Sequence, residues 1–494
     1  MQYQSTRDKT QKVSASRAIL QGLSAEGGLF VPEQLPKFSE QHLEKMVSQD
    51  YIRRAQKILE EFLSDFSNEE IESCLKGAYD AKKFSGSQIA PLSKLGENAY
   101  LLELWHGPTC AFKDMALQLL PRLMTVSMQK SGDGKEIVIL VATSGDTGKA
   151  ALEGFCNVPG IRIEVFYPEE RVSPLQKLQM ATQEGENVFV AAIQGNFDDA
   201  QSGVKKLFCD PQIATALQKQ NRVFSSANSI NWGRLLPQIV YYVSAYCDLV
   251  RDEQIALGDP INVCVPTGNF GNILAAYYAK QMGLPIHKLI CASNKNNVLT
   301  DFISTGTYDR NRTFYPTTSP SMDIGISSNL ERLLYLLSGR DGARIRDWMN
   351  GLDKDKVYEV NEKVRAGLGD FYGGYCTQEE TLATIGRMWR ENHYLMDTHT
   401  AVAYKVYEDY RKESGDETPT VIASTASAYK FAESVASAIG IGPCADGFAY
   451  VAALAKETDV PVPYGLAGLD QKPVRHTGVV DAAAMPEAVL EALK

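Results

Sequence analysis

Two uninterrupted apolar runs, Glu136–Ala142 (EIVILVA) and Ile261–Val265 (INVCV), each pass through a glycine-bearing turn into a segment with helical spacing. A run without polar alternation reads as a strand buried on both faces, which is the state of strands in parallel sheets covered by helices. The pattern recurs along the chain. Ile161–Phe166 and Val188–Ile193 read as strands, with helices around Leu175–Gln183 and Asp198–Phe208. Helical spacing over Lys149–Phe155 and Ile273–Met282 follows the first two runs, and Lys288–Ala292 and Thr420–Ala423 repeat the strand signal. The expected fold class is therefore α/β with parallel sheets. Residues 1–92 differ, with polar helical patterns at Gln41–Val47 and Ile52–Phe66 after a glycine-rich stretch at 27–32. The Thr-, Ser- and Pro-rich region 305–322 reads as a long functional connection, and Pro486–Leu493 as a closing helix. No internal repeat or low-complexity tract interrupts this order.

A chain of 494 residues can hold roughly two to four domains and bury a deep pocket. Its formal charge of −10 argues against a nucleic-acid partner, whose phosphates need a basic face, but leaves room for a local cationic site that takes a small anion. The nine cysteines, at 74, 110, 156, 209, 247, 264, 291, 376 and 444, form no C-x-x-C pair, so a reducing compartment is expected. The six histidines show no metal-binding spacing, so no metal is expected. The first residues lack an apolar signal core and no stretch approaches a membrane span. The expectation is a cytoplasmic protein with no membrane partner.

Both glycine turns sit where a strand ends and a helix begins: Thr143-Ser144-Gly145-Asp146-Thr147-Gly148 and Pro266-Thr267-Gly268-Asn269-Phe270-Gly271-Asn272. Glycine allows close backbone approach there, and the free N–H groups and dipole of a helix start attract an anion. Neither turn has the spacing of a P-loop or of a dinucleotide fingerprint, so nucleotides are a poor fit. The segment His106–Ala116 (HGPTCAFKDMA) adds a lysine, Lys113, among Ala111, Phe112, Met115 and Ala116. Such an amine either reaches back to water or loses basicity by desolvation and becomes a nucleophile that can hold a carbonyl cofactor. A lysine of that kind with a phosphate-sized cradle points to pyridoxal phosphate.

The segments H-G-P-T-x-A-F-K-D-x-A at 106–116, T-S-G-D-T-G at 143–148, N-S-I-N-W-G-R at 228–234 and G-N-F-G-N at 268–272 together resemble threonine synthase. So do YQSTR at 3–7, GGLFVP at 27–32, SPSMDI at 319–324 and DTHTAV at 397–402, in order along nearly the whole chain. The match is to the longer form with an extra N-terminal segment. The resemblance implies a tryptophan synthase β-like (fold type II) architecture of two parallel-sheet domains with an N-terminal helical segment. The expected division is 1–92 for that segment, 93–127 and 226–494 for a large cofactor-binding domain, and 128–225 for a small domain. By the same resemblance Lys113 bonds the cofactor, Gly268, Asn269, Phe270, Gly271 and Asn272 hold its phosphate, and Thr425 faces the pyridine nitrogen. The substrate is expected to be O-phosphohomoserine, its phosphate held by Ser144, Thr147, Lys177, Ser229, Asn231 and Arg234. One departure stands out: where the family carries His-Pro-Ala or similar, Ser427-Ala428-Tyr429 precedes Lys430 and Phe431.

What the resemblance implies chemically is proton removal from Cα by Lys113, proton removal at Cβ with departure of phosphate from Cγ, return of protons by Lys113, addition of water at Cβ and release of L-threonine by a monomer or small homo-oligomer. Two rivals share parts of the pattern. A threonine or serine dehydratase of the same fold would not need the N-terminal segment or the N-S-x-N-x-x-R element. A non-catalytic binder of a phosphorylated ligand would not need Lys113.

Overall fold

The run Glu136–Ala142 is a strand over the same residues, and it lies inside a five-stranded parallel sheet. The spatial order is Gly478–Asp481, Val188–Gln194, Ile161–Pro168, Glu136–Ala142, Arg222–Ser225, with Ile137 opposite Ile161 and Ala142 opposite Phe166. The computed structural model describes residues 1–84, 88–143, 145–169, 172–195 and 197–493. Val138, Leu140 and Phe166 pack on one face of this sheet against Ala200, Val204, Met485 and Val489, while Ile137, Ile139, Val141 and Val165 feed the main core on the other. Burial on both faces is why the strand carries no polar alternation.

The second run extends to Ile261–Pro266 and lies in a six-stranded sheet. Its order is Phe371–Tyr375, Ile286–Ser293, Ile261–Pro266, Thr420–Ser424, Ala99–Glu103, Leu92–Lys94, parallel except for the last strand, which is antiparallel at the edge. Thr420 pairs with Ala99 and Ser424 with Glu103, so three neighbouring strands end together on one side of the sheet. The two-sheet α/β architecture expected from the sequence is present. The tail departs from the expected division: Gly478–Asp481 pairs with Val188–Gln194, so the chain returns to the smaller sheet instead of staying with the larger one.

Against the helix Gly271–Met282, which follows the strand Ile261–Pro266, runs the helix Trp232–Arg251, buried on nearly every side, from Trp232 and Leu235 to Tyr246 and Leu249. A helix apolar all round has to lie inside the protein. The N-terminal segment covers it. Tyr3 and Phe62 pack on Trp232 with ring centroids 5.3 and 5.6 Å away. The buried Arg54 donates to Met46 O, Val47 O, Ser244 Oγ and Asp248 Oδ1 at 2.6–2.9 Å. This segment also contains a small antiparallel sheet, Lys12–Val13, Tyr3–Ser5 and Phe30–Pro32. Its second long helix stops at Phe62, earlier than its apolar pattern, because Phe66 N–H turns back to Leu63 O and Ser67 with Glu70 caps the next helix. Among the described residues no helix is long and apolar enough to cross a membrane.

Candidate active site

Lys113 opens a five-residue helix after a turn that its neighbour Asp114 builds. Thr109 N–H and Oγ1–H donate to the Asp114 carboxylate at 2.8 and 2.7 Å, and Cys110 takes a left-handed φ of 60°. Gly107 is required beside it, since a Cβ there would lie 2.6 Å from Asp114 Cβ. Burial pushes the Asp114 carboxyl up to about 6. Phe112 N–H donates to Thr425 O at 2.8 Å and Ala111 bridges to Ala426, so the turn is fastened to the end of the strand Thr420–Ser424. Lys113 is thereby inside the protein. Its Nζ stands 3.5 Å from Ser321 Oγ, 3.6 Å from Asp146 Oδ2 and 4.7 Å from the centre of the Phe112 ring. Burial lowers its pKa from the usual lysine range, Asp146 opposes that, and the positive charges of Lys430 and Arg234 reinforce it.

The turn after Ile261–Pro266 lies at the same end of the sheet. Phe270, at φ 62°, is a buried non-glycine residue in the left-handed region, and it caps the helix Gly271–Met282. Such backbone costs on the order of 1–3 kcal/mol and persists where packing holds it, typically at ligand sites. Ser327 Oγ–H donates to Gly268 O, and Asn329 N–H and Nδ2–H donate to Asn269 O. A Cβ on Gly268 would come within 2.6 Å of the Ser321 carbonyl, so Gly268, Ser321 and Lys113 converge. Asn272 Oδ1 accepts from the Tyr241 and Tyr242 hydroxyls, while its buried Nδ2 has no partner. A buried amine of lowered basicity, a close-approach glycine, a helix start and an unsatisfied buried amide fit pyridoxal phosphate: an aldehyde for the amine, an anion for the cradle.

The turn after Glu136–Ala142 is different. Thr143 Oγ1 accepts from Gly145 N–H and Gly148 N–H at 3.0 and 2.9 Å, so two of its backbone donors are already used. Ser144 lies outside the described residues. Asp146, unassigned in the sequence reading, is buried at the helix start with Oδ1 accepting from Lys430 Nζ at 2.9 Å and Gln176 Nε2 at 2.8 Å. Its pKa is lowered: burial raises it, and Lys430 and Lys113 outweigh that. Thr147, on the next position, is half-buried.

Arg234 is buried, donates to Ala227 O at 2.5 Å, leaves its Nε without a partner, and has no carboxylate against it among the described residues. Burial pushes its guanidinium down to about 10. An unpaired buried cation is costly unless an anion completes it. Ser229 is half-buried beside it in sequence. Asn231 is committed to the turn: Oδ1 accepts from Gly233 N–H, and Nδ2 donates to Ile19 O and Ser226 O, which uses both amide hydrogens. Lys177 is half-buried on the helix Pro174–Ala181, whose Gln176 and Gln179 contact Asp146 and Lys430.

Sequence spacing also left His399 without a role. Its Nε2 accepts from Ser321 N–H at 3.2 Å and its Nδ1 faces Asp397 Oδ1 at 3.1 Å, a pattern that puts the ring proton on Nδ1. His399 thus holds the residue that faces Lys113. Asp323 locks the 305–322 connection by accepting from Asn294, Asn296 and Thr317.

Parallel strands ending around a buried lysine and a glycine cradle define a pyridoxal-phosphate enzyme of fold type II, and the family described as "Pyridoxal-phosphate dependent enzyme" matches residues 87–427. "Threonine synthase N terminus" matches 2–79 and "Threonine synthase, C-terminal" matches 400–490. The threonine synthase of Pseudomonas aeruginosa is 38% identical over 90% of this chain and 91% of its own length. The solved pyridoxal-phosphate-bound threonine synthase of Brucella melitensis superposes with a TM-score of 0.88 at 36% identity, over 100% of this chain and 99% of that one. The chain belongs to the threonine synthase family. The human threonine synthase-like 1 protein is 43% identical over 88% of this chain, which spans 59% of that protein's length.

Proposed function

We propose that the chain is a threonine synthase that converts O-phospho-L-homoserine and water to L-threonine and phosphate. The observation that carries this reading is Lys113 Nζ, buried and of lowered basicity, beside the cradle at Gly268–Asn272. Lys113 would hold pyridoxal phosphate through that nitrogen, Gly268, Asn269, Phe270, Gly271 and Asn272 would receive its phosphate, and Thr425 would lie at its ring nitrogen. When bound, the cofactor supplies an electron sink that acidifies the substrate carbon next to the amine.

The chain's own residues do the rest. Lys113 Nζ, depressed in pKa, takes the Cα proton as general base and returns protons later in the cycle. Arg234 meets the substrate phosphate with a guanidinium that no carboxylate among the described residues neutralises, which suits both the ester and the departed ion. Ser144, Thr147, Lys177 and Ser229 complete that site, and Asn231 serves it by capping the helix that presents Arg234. Burial of Lys113 and Arg234 would limit the access of bulk water to the reacting carbons. The structural arrangement supports a division into 1–92, a larger unit of 93–127 with 226 onward, and a smaller one of 128–225 joined by the tail. The reading includes a cytoplasmic enzyme, monomeric or a small homo-oligomer, without nucleic-acid or membrane partners.

A steady-state assay with O-phosphohomoserine that follows phosphate and threonine tests this. Equal release of both, with no 2-oxobutyrate formed from threonine, is the expected result. Dehydration of threonine without turnover of O-phosphohomoserine would replace the reading with that of a dehydratase.

A further inference from the structure

Asp146 lies between two buried lysines and does not treat them alike. Its Oδ1 is 2.9 Å from Lys430 Nζ, whereas its Oδ2 is 3.6 Å from Lys113 Nζ, beyond hydrogen-bond range. The Lys430 side chain has no solvent exposure, and its ammonium also donates to Thr109 O at 2.9 Å and Gln179 Oε1 at 3.3 Å. Its three N–H groups therefore have three acceptors. Gln176 Nε2 donates to the same Asp146 oxygen that Lys430 uses. Among the described residues, the hydrogen-bond partners of the Asp146 carboxylate, Lys430 and Gln176, thus both pull on Oδ1, away from Lys113.

We propose that Lys430 is a positioning residue that, with Gln176, holds the Asp146 carboxylate off Lys113 and so keeps the Lys113 amine available as nucleophile and base. This rests on Lys113 being the cofactor-bearing lysine. The charged groups that face Lys113 are Asp146 from the helix Asp146–Phe155, Lys430 from the short helix Ala428–Phe431, and Arg234 from the helix Trp232–Arg251. Asp114, on Lys113's own helix, is turned to Thr109, and His399 meets the backbone of Ser321 on one side and Asp397 on the other. Among the described residues Asp146 is the one carboxylate that forms an ion pair with Lys113. Whichever lysine Asp146 favours, the other is left the weaker base.

The proposal predicts opposite effects from the two partners. In the full chain loaded with pyridoxal phosphate, the pH midpoint of the visible absorbance reports protonation at the Lys113 nitrogen. In the chain without cofactor, the pH dependence of Lys113 acetylation, followed by peptide mass spectrometry, reports the same group. Lys430→Met should raise both midpoints by about one to three pH units, as Asp146 turns to Lys113, and Asp146→Asn should lower them. In the Asp146→Asn background, where only direct repulsion by Lys430 is left, adding Lys430→Met should raise the midpoints by clearly less than it does in the wild-type background. The double variant removes both members of the Asp146–Lys430 pair and so strands neither if Lys430→Met alone fails to fold. A shift of equal size in both backgrounds would show direct repulsion by Lys430 and overturn the proposal. So would a downward shift in Lys430→Met. If the wild-type chain gives no visible band, the cofactor reading falls, while the acetylation midpoints still decide the role of Lys430.

Discussion

Glu164 offers a test of the electrostatics in the smaller sheet. It sits on the central strand Ile161–Pro168, about 1% exposed, with neither carboxyl oxygen hydrogen-bonded. Arg162 and Arg222, the nearest cations, are engaged with Glu136 and with the last turn at Ala492 and Leu493. Burial pushes the Glu164 pKa up from 4.5 to about 8, and the two arginines only moderate that. The folded protein thus holds a proton that the unfolded chain releases. Below about pH 4.5 both states are protonated and the position costs nothing extra. As pH rises from there to 8, stability falls by about 1.4 kcal/mol per unit, to a full cost of about 5 kcal/mol above pH 8. At pH 7 the cost is about 3 kcal/mol. Glu164→Gln keeps the shape and the missing hydrogen bonds but cannot ionise, so it should match wild type near pH 4.5 and exceed it by roughly 3 kcal/mol at pH 7. Tryptophan fluorescence would miss this, because Trp105, Trp232, Trp348 and Trp389 all lie outside the smaller sheet. Hydrogen exchange of peptides spanning Ile161–Pro168, compared between variant and wild type at each pH, reads it directly, with a gain in protection on the order of a hundredfold at pH 7. Parallel pH profiles for the two proteins would refute the reasoning.

His399→Ala removes the acceptor of the Ser321 N–H and should weaken cofactor retention about tenfold, whereas His399→Gln, whose amide oxygen can accept, should restore most of it; equilibrium titration with pyridoxal phosphate separates the two. Gly268→Ala places a Cβ 2.6 Å from the Ser321 carbonyl and should lower cofactor affinity while far-ultraviolet circular dichroism stays unchanged. Arg54→Ala leaves the Met46 and Val47 carbonyls beneath the N-terminal segment without their buried donor, while Asp248 keeps Arg251, and should cost about 2–4 kcal/mol, seen as a lower unfolding midpoint by Trp232 fluorescence.

The fold was legible where burial on both faces imposes an unbroken apolar run. Glu136–Ala142 needed no revision, and Ile161, Val188 and Ile261 begin strands where the pattern begins. Strands defined by their neighbours escaped. Arg222–Ser225 (RVFS) and Gly478–Asp481 (GVVD) lie at sheet edges with one partner each, and Phe371–Tyr375 carries two glycines. Their conformation comes from pairing with a strand far away in sequence, which no local period records. The helix Trp232–Arg251 also escaped: Gly233 and Pro237 stand in its first two turns, where they read as breakers, and packing on nearly every side holds the helix regardless. The return of the tail to the smaller sheet is likewise a matter of long-range pairing, since nothing in GVVD names Val188–Gln194 as its partner.

The site divides along the same physical line. Lys113 and the glycines were readable because each residue type answers a local need: an amine in an apolar setting, or backbone where a side chain would collide with Asp114 or Ser321. Which charge neutralises which was not. Asp146 stood inside T-S-G-D-T-G as spacing and Lys430 stood after an unfamiliar tripeptide, yet the folded chain pairs them at 2.9 Å with no solvent at Lys430. Asn231, placed by its motif among phosphate ligands, spends its amide on Ile19 and Ser226. A motif records that a residue is needed, and only the hydrogen-bond partners say for what. For Arg234 those partners are incomplete, with Nε bare and no carboxylate opposite among the described residues. Asp146, by contrast, has its Oδ1 taken by both Lys430 and Gln176. A buried cation left open, in a site whose buried Asp146 is already taken by Lys430, is an arrangement that waits for an anion from outside, which is what a phosphorylated substrate brings.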